Sequence, residues 1–223
     1  MRTIIFANGE LTPQDLERAA PTADDTIIAA DGGALHCQAY NIHPDALIGD
    51  FDSLPADVLE RYEKQGVPVH RFPPDKDYTD LELALHMALK NSPDEVLILG
   101  GLGGRWDQSI ANLLLPASTD CCGIQVRLID NSQEVVVLRS GEHFTLHSHP
   151  GATVSLIPIG GDARGITTEG LLYPLQSETL HFGATRGVSN EMLQSSAHIS
   201  LEEGFLLCVL IYSLQTKEGV QPS

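Results

Sequence analysis

A rhythm in the first half of this chain constrains its fold more than any other feature. Short β-branched runs each end in a polar or glycine-containing loop and then give way to a helical pattern. "TIIFA" (3–7) leads to Asn8-Gly9, "TIIAA" (26–30) to Asp31-Gly32-Gly33, and "ALIG" (46–49) to Asp50-Phe51-Asp52. "EVLILG" (95–100) runs into "GLGGRWDQ", and "QVRLID" (125–130) closes the series at Asp130. Strand, loop and helix in repetition specify a parallel sheet covered by helices. The runs are continuously apolar rather than alternating, as befits strands buried on both faces.

The second half changes character. From Ser132 the runs are "EVVVLRS", "HFTLHS", "TVSLIPIG", "ETLHFGA", "SAHISL" and "FLLCVLIY", separated by short turns rich in Gly, Ser and Pro. No long 3.6-residue periodicity interrupts them, which predicts an antiparallel β-sandwich. The expected organisation is an α/β domain over residues 1–131 and an all-β domain over 132–223, with the polar end "TKEGVQPS" frayed.

Charge narrows the partners. Thirteen Lys and Arg face thirty Asp and Glu, a formal net charge of −17. Nucleic acid and anionic membrane surfaces both call for a basic face, so neither is an expected partner. An anionic substrate would need its repulsion offset, most simply by a divalent cation on an acid cluster. No apolar run approaches the roughly 18 residues of a membrane span, and the start "MRTIIFANGE" is too briefly apolar for a secretory leader. The four cysteines show no CxxC spacing. A reduced, cytoplasmic setting is the expectation.

In an open parallel sheet, ligands bind outside the carboxyl ends of the strands. Here those ends carry Asn8, Asp31, Asp50, Asp52 and the Gly100–Gly104 loop. A single Asp after a strand is an ordinary turn former or helix cap. Its recurrence at successive strand ends points to a ligand instead. Asp50 and Asp52 would face opposite ways along an extended chain. A turn at the strand exit can bring both to one cation, and without a cation crowded carboxylates raise each other's pKa. The competing reading is an Asx-turn with a cap.

Residues 73–91, "PPDKDYTDLELALHMALKN", hold a T-x-x-E capping box at Thr79–Glu82 and an apolar face of Leu81, Ala84, Leu85 and Ala88. Asp80 then lies in the first helical turn, where a carboxylate already suits the helix dipole. Lys76 and Asp77 crowd just ahead of it. Lys76 can meet a phosphate oxygen as a point charge, with Asp80 in a metal shell. In "LILGGLGGRWDQSIANLLL" (97–115), glycines between strand and helix allow close approach of a phosphate to backbone N–H groups. The spacing fits neither a Walker loop nor GxGxxG. Arg105 can neutralise a transferring phosphate. Asp107 reads either as a cap or as a partner for a hydroxyl or cationic group, and Asn112 falls one turn after Gln108. "TLHFGATRGVSNEML" reads as a polar turn or as a binding loop. His147 and His149 lack the further ligands of a zinc site.

Taken together, "ADGG", "GDFDS", "DKDYTD", "GGLGGRWDQ" and "TRGVSNE", in this order over residues 30–191, resemble the thiamine pyrophosphokinase family. The resemblance implies attack of the thiamine hydroxyl on the β-phosphorus of ATP, with release of AMP. By position it assigns Mg2+ to Asp50, Asp52 and Asp80, which with Arg105 form the catalytic set. Nucleotide and thiamine contacts fall to Asp31, Lys76, Asp77, Asp107, Gln108, Ser189 and Asn190. It also implies a homodimer with the site shared between subunits. Gln108 stands where bacterial relatives often carry His, and bulky Trp106 precedes it, so the thiamine pocket departs from the family pattern. Two other readings stay open on the residues alone. One is an aspartate-nucleophile phosphatase, suggested by the strand-end DxD. The other is a non-catalytic nucleotide- or thiamine-binding module.

Overall fold

The computed structural model describes residues 1–212, and the polar end from Thr216 lies outside the described residues. The chain divides into two compact units, Met1–Val137 and Leu138–Ser223. The first holds a mixed sheet with helices. Its strands are β1 (Arg2–Phe6), β2 (Thr26–Ala30), β3 (Ala46–Gly49), β4 (Val69–Arg71), β5 (Glu95–Leu99), β6 (Gln125–Asp130) and β7 (Gln133–Arg139). The order is β4-β3-β2-β1-β5-β6-β7. Every pair from β4 to β6 is parallel, and β7 turns back antiparallel on β6, so it straddles the division between the units. Three of the anticipated runs, at 26–30, 46–49 and 125–130, coincide with strands. The three-residue β4 has too little apolar length to announce itself.

The helices are α1 (Pro13–Ala19), α2 (Gly33–Ala39), α3 (Ala56–Lys64), α4 (Asp80–Leu89) and α5 (Trp106–Leu114). Alternate strand residues serve the two faces of the sheet. Ile4, Phe6, Leu47, Leu97, Leu99 and Ile129 join one core cluster with Ala19 of α1, Cys37 of α2 and Tyr62 of α3. Ile5, Ile28, Ile48, Ile98 and Leu128, the intervening residues, are equally buried. Helix α4 packs on β1, β2 and β3 and buries the anticipated face of Leu81, Ala84, Leu85 and Ala88. Thr79 caps it, accepting from the Glu82 N–H as the T-x-x-E spacing predicts. Only this half of the expected box forms at α4; the full reciprocal box is at the start of α1, where Thr12 N–H donates to Asp15 at 2.7 Å and Thr12 Oγ1 accepts in return from the Asp15 N–H.

Strand order fixes where a ligand can sit. Chain order reverses at the centre, with β2 on one side of β1 and β5 on the other. The loops after β1 and β5 therefore part over a crevice at the carboxyl edge, the topological switch point of such sheets.

The second unit contains β8 (His143–His147), β9 (Thr153–Glu169), β10 (Glu178–Leu180), β11 (Asn190–Glu191), β12 (Ser196–Ser200) and β13 (Glu203–Ile211), all in antiparallel pairs. Its axis is β9, seventeen residues long. The expected turn at Gly160 is instead an irregularity within this strand. The first part of β9 pairs with β13, and after the register shift its far end pairs with β12.

At the opposite edge of the first unit, Arg2 grips Asp25 with Nε at 2.9 Å and a second nitrogen on the other oxygen, tying the starts of β1 and β2 together. The Arg2 guanidinium, helped by the Thr22 N–H, holds the Asp25 carboxyl below the usual carboxylate range against the upward push of burial. A depressed carboxyl contributes stability above its unfolded pKa and loses it as pH falls through the folded one. Asp25→Asn should therefore lower the melting temperature at pH 7, and that deficit should shrink once pH drops below about 3.9. A thermal-melt series across pH measures it.

Candidate active site

The crevice is a cleft of about 720 Å3 whose walls come from the loops after β1, β2, β3 and β5 and from the start of α4. Its construction depends on close backbone approach. A Cβ on Gly33 would lie 1.9 Å from the Phe6 carbonyl oxygen, so only glycine lets α2 begin against β1. Gly100 takes φ +65°, a Cβ there would lie 2.9 Å from the Ala7 carbonyl oxygen, and its own carbonyl accepts from the Gly9 N–H at 2.8 Å. His36 Nε2 donates to the Gly9 carbonyl at 2.8 Å. The glycine loop is tied further by Ser109 Oγ, which accepts from the Gly103 N–H, and by Asn112, which donates to the Gly101 carbonyl at 2.6 Å. Glycines in "ADGG" thus serve packing first and ligand access second.

Three carboxylates converge on this edge. One oxygen from each of Asp31, Asp50 and Asp52 lies within 4.8 Å of the others. Two ionised carboxylates at that separation repel by roughly 3 kcal/mol at an effective dielectric of about 20. Three such pairs approach the whole stability of a domain, about 5–15 kcal/mol. Positive charge or directed hydrogen bonds must offset this. Asp31, 8 % exposed, accepts from Ser53 Oγ and, at 3.4 Å, from Asn8 Nδ2 on one oxygen. Its other oxygen, Oδ1, is buried without a hydrogen-bond partner. An orphaned buried carboxylate oxygen facing two further acids is a donor set that fits a hard divalent cation.

The backbone bends to present this set. Phe51, between the two acids, holds φ +62° and is 6 % exposed in the core cluster, with the Arg71 guanidinium 5.5 Å from its ring centre. The left-handed turn reverses the extended alternation that would send Asp50 and Asp52 to opposite faces. Asp52 N–H also donates to Asp50 Oδ1 at 3.2 Å, so the Asx-turn and the acid pair are one structure.

Asp80 stands beside this group, in an ion pair. Lys76 Nζ lies 2.8 Å from Asp80 Oδ1 and 3.9 Å from Asp50 Oδ2, and its side chain is only 11 % exposed. Burial pushes the Asp80 carboxyl up, Lys76 pulls it down, and the Asp50 and Asp31 carboxylates add to the upward push. Lys76 is thus the internal counter-charge between two acids. Asp77 is exposed in the same approach, away from the cleft wall.

At the mouth, Arg105 and Asp107 are paired with each other, at 2.6 Å and 3.2 Å. Asp107 is not the α5 cap. Arg105 holds that position, and Asp107 falls in the first turn. Arg105 and Gln108 both line the cleft. In the second unit, Ser189 has φ +62° and its N–H donates to Ser155 Oγ. The Asn190 side chain exchanges hydrogen bonds with the backbone of Tyr173, at 2.8 and 3.0 Å. It shapes the neighbouring loop. Ser53, His36 and Tyr78 also stand at the site: Ser53 donates to Asp31, His36 of α2 ties down Gly9, and Tyr78 lines the cleft. Ser53 and Tyr78 fall inside the motifs "GDFDS" and "DKDYTD", whereas His36 carried no signal.

Comparison with known proteins follows the same two-unit division. A family model described as "Thiamin pyrophosphokinase, catalytic domain" matches residues 19–126. A second, "Thiamin pyrophosphokinase, vitamin B1 binding domain", matches residues 143–206. The thiamine pyrophosphokinase of Bacillus subtilis is 32 % identical over 213 residues, 94 % of this chain and 98 % of that protein. Its crystal structure superimposes with a TM-score of 0.86 at 29 % identity, over 96 % of this chain and 100 % of that one. The thiamin pyrophosphokinase structure from Geobacillus thermodenitrificans gives a TM-score of 0.84 at 28 % identity, over 96 % and 99 %.

The Phe51 turn generates an unusual rank order. Removing the ring forfeits roughly 3–5 kcal/mol of burial, but only glycine also relieves the left-handed strain of about 1–2 kcal/mol. Phe51→Ala should therefore melt below Phe51→Gly, the reverse of the order in an ordinary strand, as thermal unfolding of the two variants will show.

Proposed function

The chain belongs to the thiamin pyrophosphokinase family, and we propose that the cleft of its first unit carries out the ATP-dependent transfer of a pyrophosphoryl group to thiamine. The thiamine hydroxyl oxygen bonds to the β-phosphorus, the α–β bridging bond breaks, and AMP leaves with thiamine pyrophosphate as the second product. The observation that carries the mechanism is the convergence of Asp31, Asp50 and Asp52 beside the glycine loop.

Asp50 and Asp52 hold a divalent cation, Mg2+ by its preference for oxygen ligands, with Asp31 supplying a third carboxylate. Asp80 joins that shell from the flank. The ion, when bound, neutralises triphosphate oxygens that would otherwise be repelled by this acidic edge. The remaining work belongs to the chain. Lys76 leaves its carboxylate pair to meet a phosphate oxygen. N–H groups of the Gly100–Gly104 loop and of the start of α5 face the phosphates. Arg105 exchanges Asp107 for phosphate, which frees Asp107 for thiamine at the cleft mouth. Gln108, on the cleft wall, flanks the nucleotide and thiamine, and Asp77 stands on the solvent side of the Lys76–Asp80 turn. The proton of the thiamine hydroxyl passes to a carboxylate of this acid-rich edge.

The second unit, read as a β-sandwich, supplies the thiamine side through Ser189 and Asn190. Residues 1–131 are then the catalytic domain and 132–223 the thiamine-binding and dimerisation domain. A homodimer with the site shared between subunits is supported by an apolar stripe on α5. Trp106, Ile110 and Leu114, one helical turn apart, are 82 %, 54 % and 46 % exposed. No helix among the described residues is long and apolar enough to cross a membrane. A cytoplasmic setting suits the substrates.

An AMP-release assay with thiamine, ATP and Mg2+ tests the function directly. Asp52 is exposed and its charge only adds to the repulsion, so in the absence of metal Asp52→Asn should hold or raise the melting temperature rather than lower it. Turnover should fall roughly a hundredfold or more; near-normal rates would remove Asp52 from the metal set. Replacing Ile110 and Leu114 together by Glu should convert a sedimenting dimer to a monomer, whereas an unchanged sedimentation coefficient would place the interface elsewhere.

A further inference from the structure

The cleft is built for phosphate. Its walls carry the glycine loop, carboxylates, Lys76 and Arg105, with aliphatic surface only from small or branched side chains such as Pro74, Leu81 and Leu102. ATP carries a flat ring, and this purine must dock where the triphosphate still reaches the acids. Among the described residues, the cleft wall contains one six-membered aromatic ring, that of Tyr78. It is 50 % exposed, unusual for a tyrosine at the rim of a built cavity. Tyr78 lies between Lys76 and Asp80, on the same turn that brings their charges to the site.

The ring is held rather than loose. His86, on α4, meets it edge to face, with centroids 5.5 Å apart and planes at 82°. His86 Nε2 is in turn 3.3 Å from Asp120 Oδ2. The backbone at Tyr78 is set by the Thr79 cap on one side and by Pro73-Pro74 on the other. A fixed, half-exposed ring beside a phosphate site is what base stacking needs, because every nucleobase offers a π-face.

We propose that Tyr78 is the stacking platform for the nucleobase of ATP, with His86 as the positioning residue that holds its ring. This rests on the pyrophosphokinase reading above. The occupant is the nucleobase rather than a thiamine ring because thiamine is assigned to the Arg105–Asp107 mouth and the second unit, whereas Tyr78 sits on the turn that carries Lys76 and Asp80.

Calorimetry with Mg2+ and two probes tests it: a non-hydrolysable ATP analogue, and inorganic tripolyphosphate, which has the charge but no base. Tyr78→Ala should weaken the analogue about tenfold and leave tripolyphosphate within about twofold of wild type. Tyr78→Phe should retain wild-type affinity for both. His86→Ala should show the same split between probes at smaller amplitude, which a general loosening of the fold would not produce. Steady-state kinetics should show a raised KM for ATP with kcat and the thiamine KM unchanged. Equal losses for both probes, or no loss for either, overturn the platform. A raised KM for thiamine alone overturns it too, by assigning the ring to the other substrate. If wild-type protein binds neither probe, the pyrophosphokinase reading itself fails and takes the platform with it.

Discussion

Mutual repulsion among carboxylates at the carboxyl edge of the sheet is the constraint around which the rest of the first unit is arranged. Asp31, Asp50 and Asp52 stand within 4.8 Å of one another, and Asp80 is near enough for Asp31 and Asp50 to push its carboxyl up. Such a cluster is unstable unless something answers each charge. Two kinds of answer are visible. Asn8 and Ser53 donate hydrogen bonds to one oxygen of Asp31. Lys76 places a nearly buried ammonium between Asp50 and Asp80. The other Asp31 oxygen is buried without a hydrogen-bond partner.

Holding this arrangement requires local strain, and the core supplies the compensation. Asp31 and Phe51 both adopt positive φ, at 48° and 62°. Each conformation costs about 1–3 kcal/mol in a residue that is not glycine. Phe51 offsets its share by burying its ring in the cluster formed by Phe6, Leu47 and Tyr62. The same cluster anchors α2 and α3, so the bend that aims the acids is locked by the packing that stabilises the sheet. Strained residues at a strand exit are held there by the dense core behind them.

The second unit is organised by a single strand. In β9, glycines at 160, 161 and 165 adopt positive φ, and the register against β13 shifts across this region. One strand thereby serves two partners along its length. The loop that follows β10 ends at Ser189 and Asn190, whose bonds to Ser155 and Tyr173 fix the exposed turns near them. Leu172 and Tyr173 before β10, and Phe182 and Val188 after it, are exposed.

Much of this was readable from residues alone, and the reason is local. Apolar runs of four to six residues define strands wherever both faces are buried, which is why β2, β3 and β6 match their runs. The Thr79 cap and the buried face of α4 follow from spacing within one helix. The acids could be placed at strand ends because parallel topology sends every strand exit to one edge. What the sequence could not decide is which acids meet. The family resemblance grouped Asp80 with Asp50 and Asp52; the fold also brings Asp31 within contact distance of that pair and sets Asp80 against Lys76. That choice depends on Gly33 letting two backbones touch, on Gly32 leaving room for the Asn8 side chain and on a left-handed Phe51, all consequences of packing between segments distant in the chain. The bend within β9 was likewise invisible, because a glycine pair reads the same in a turn and in a bulge until a partner strand is present. Local chemistry determined the elements and their edge; long-range packing alone determined the partners, because pairwise distances across a sheet are not encoded in any short window of residues.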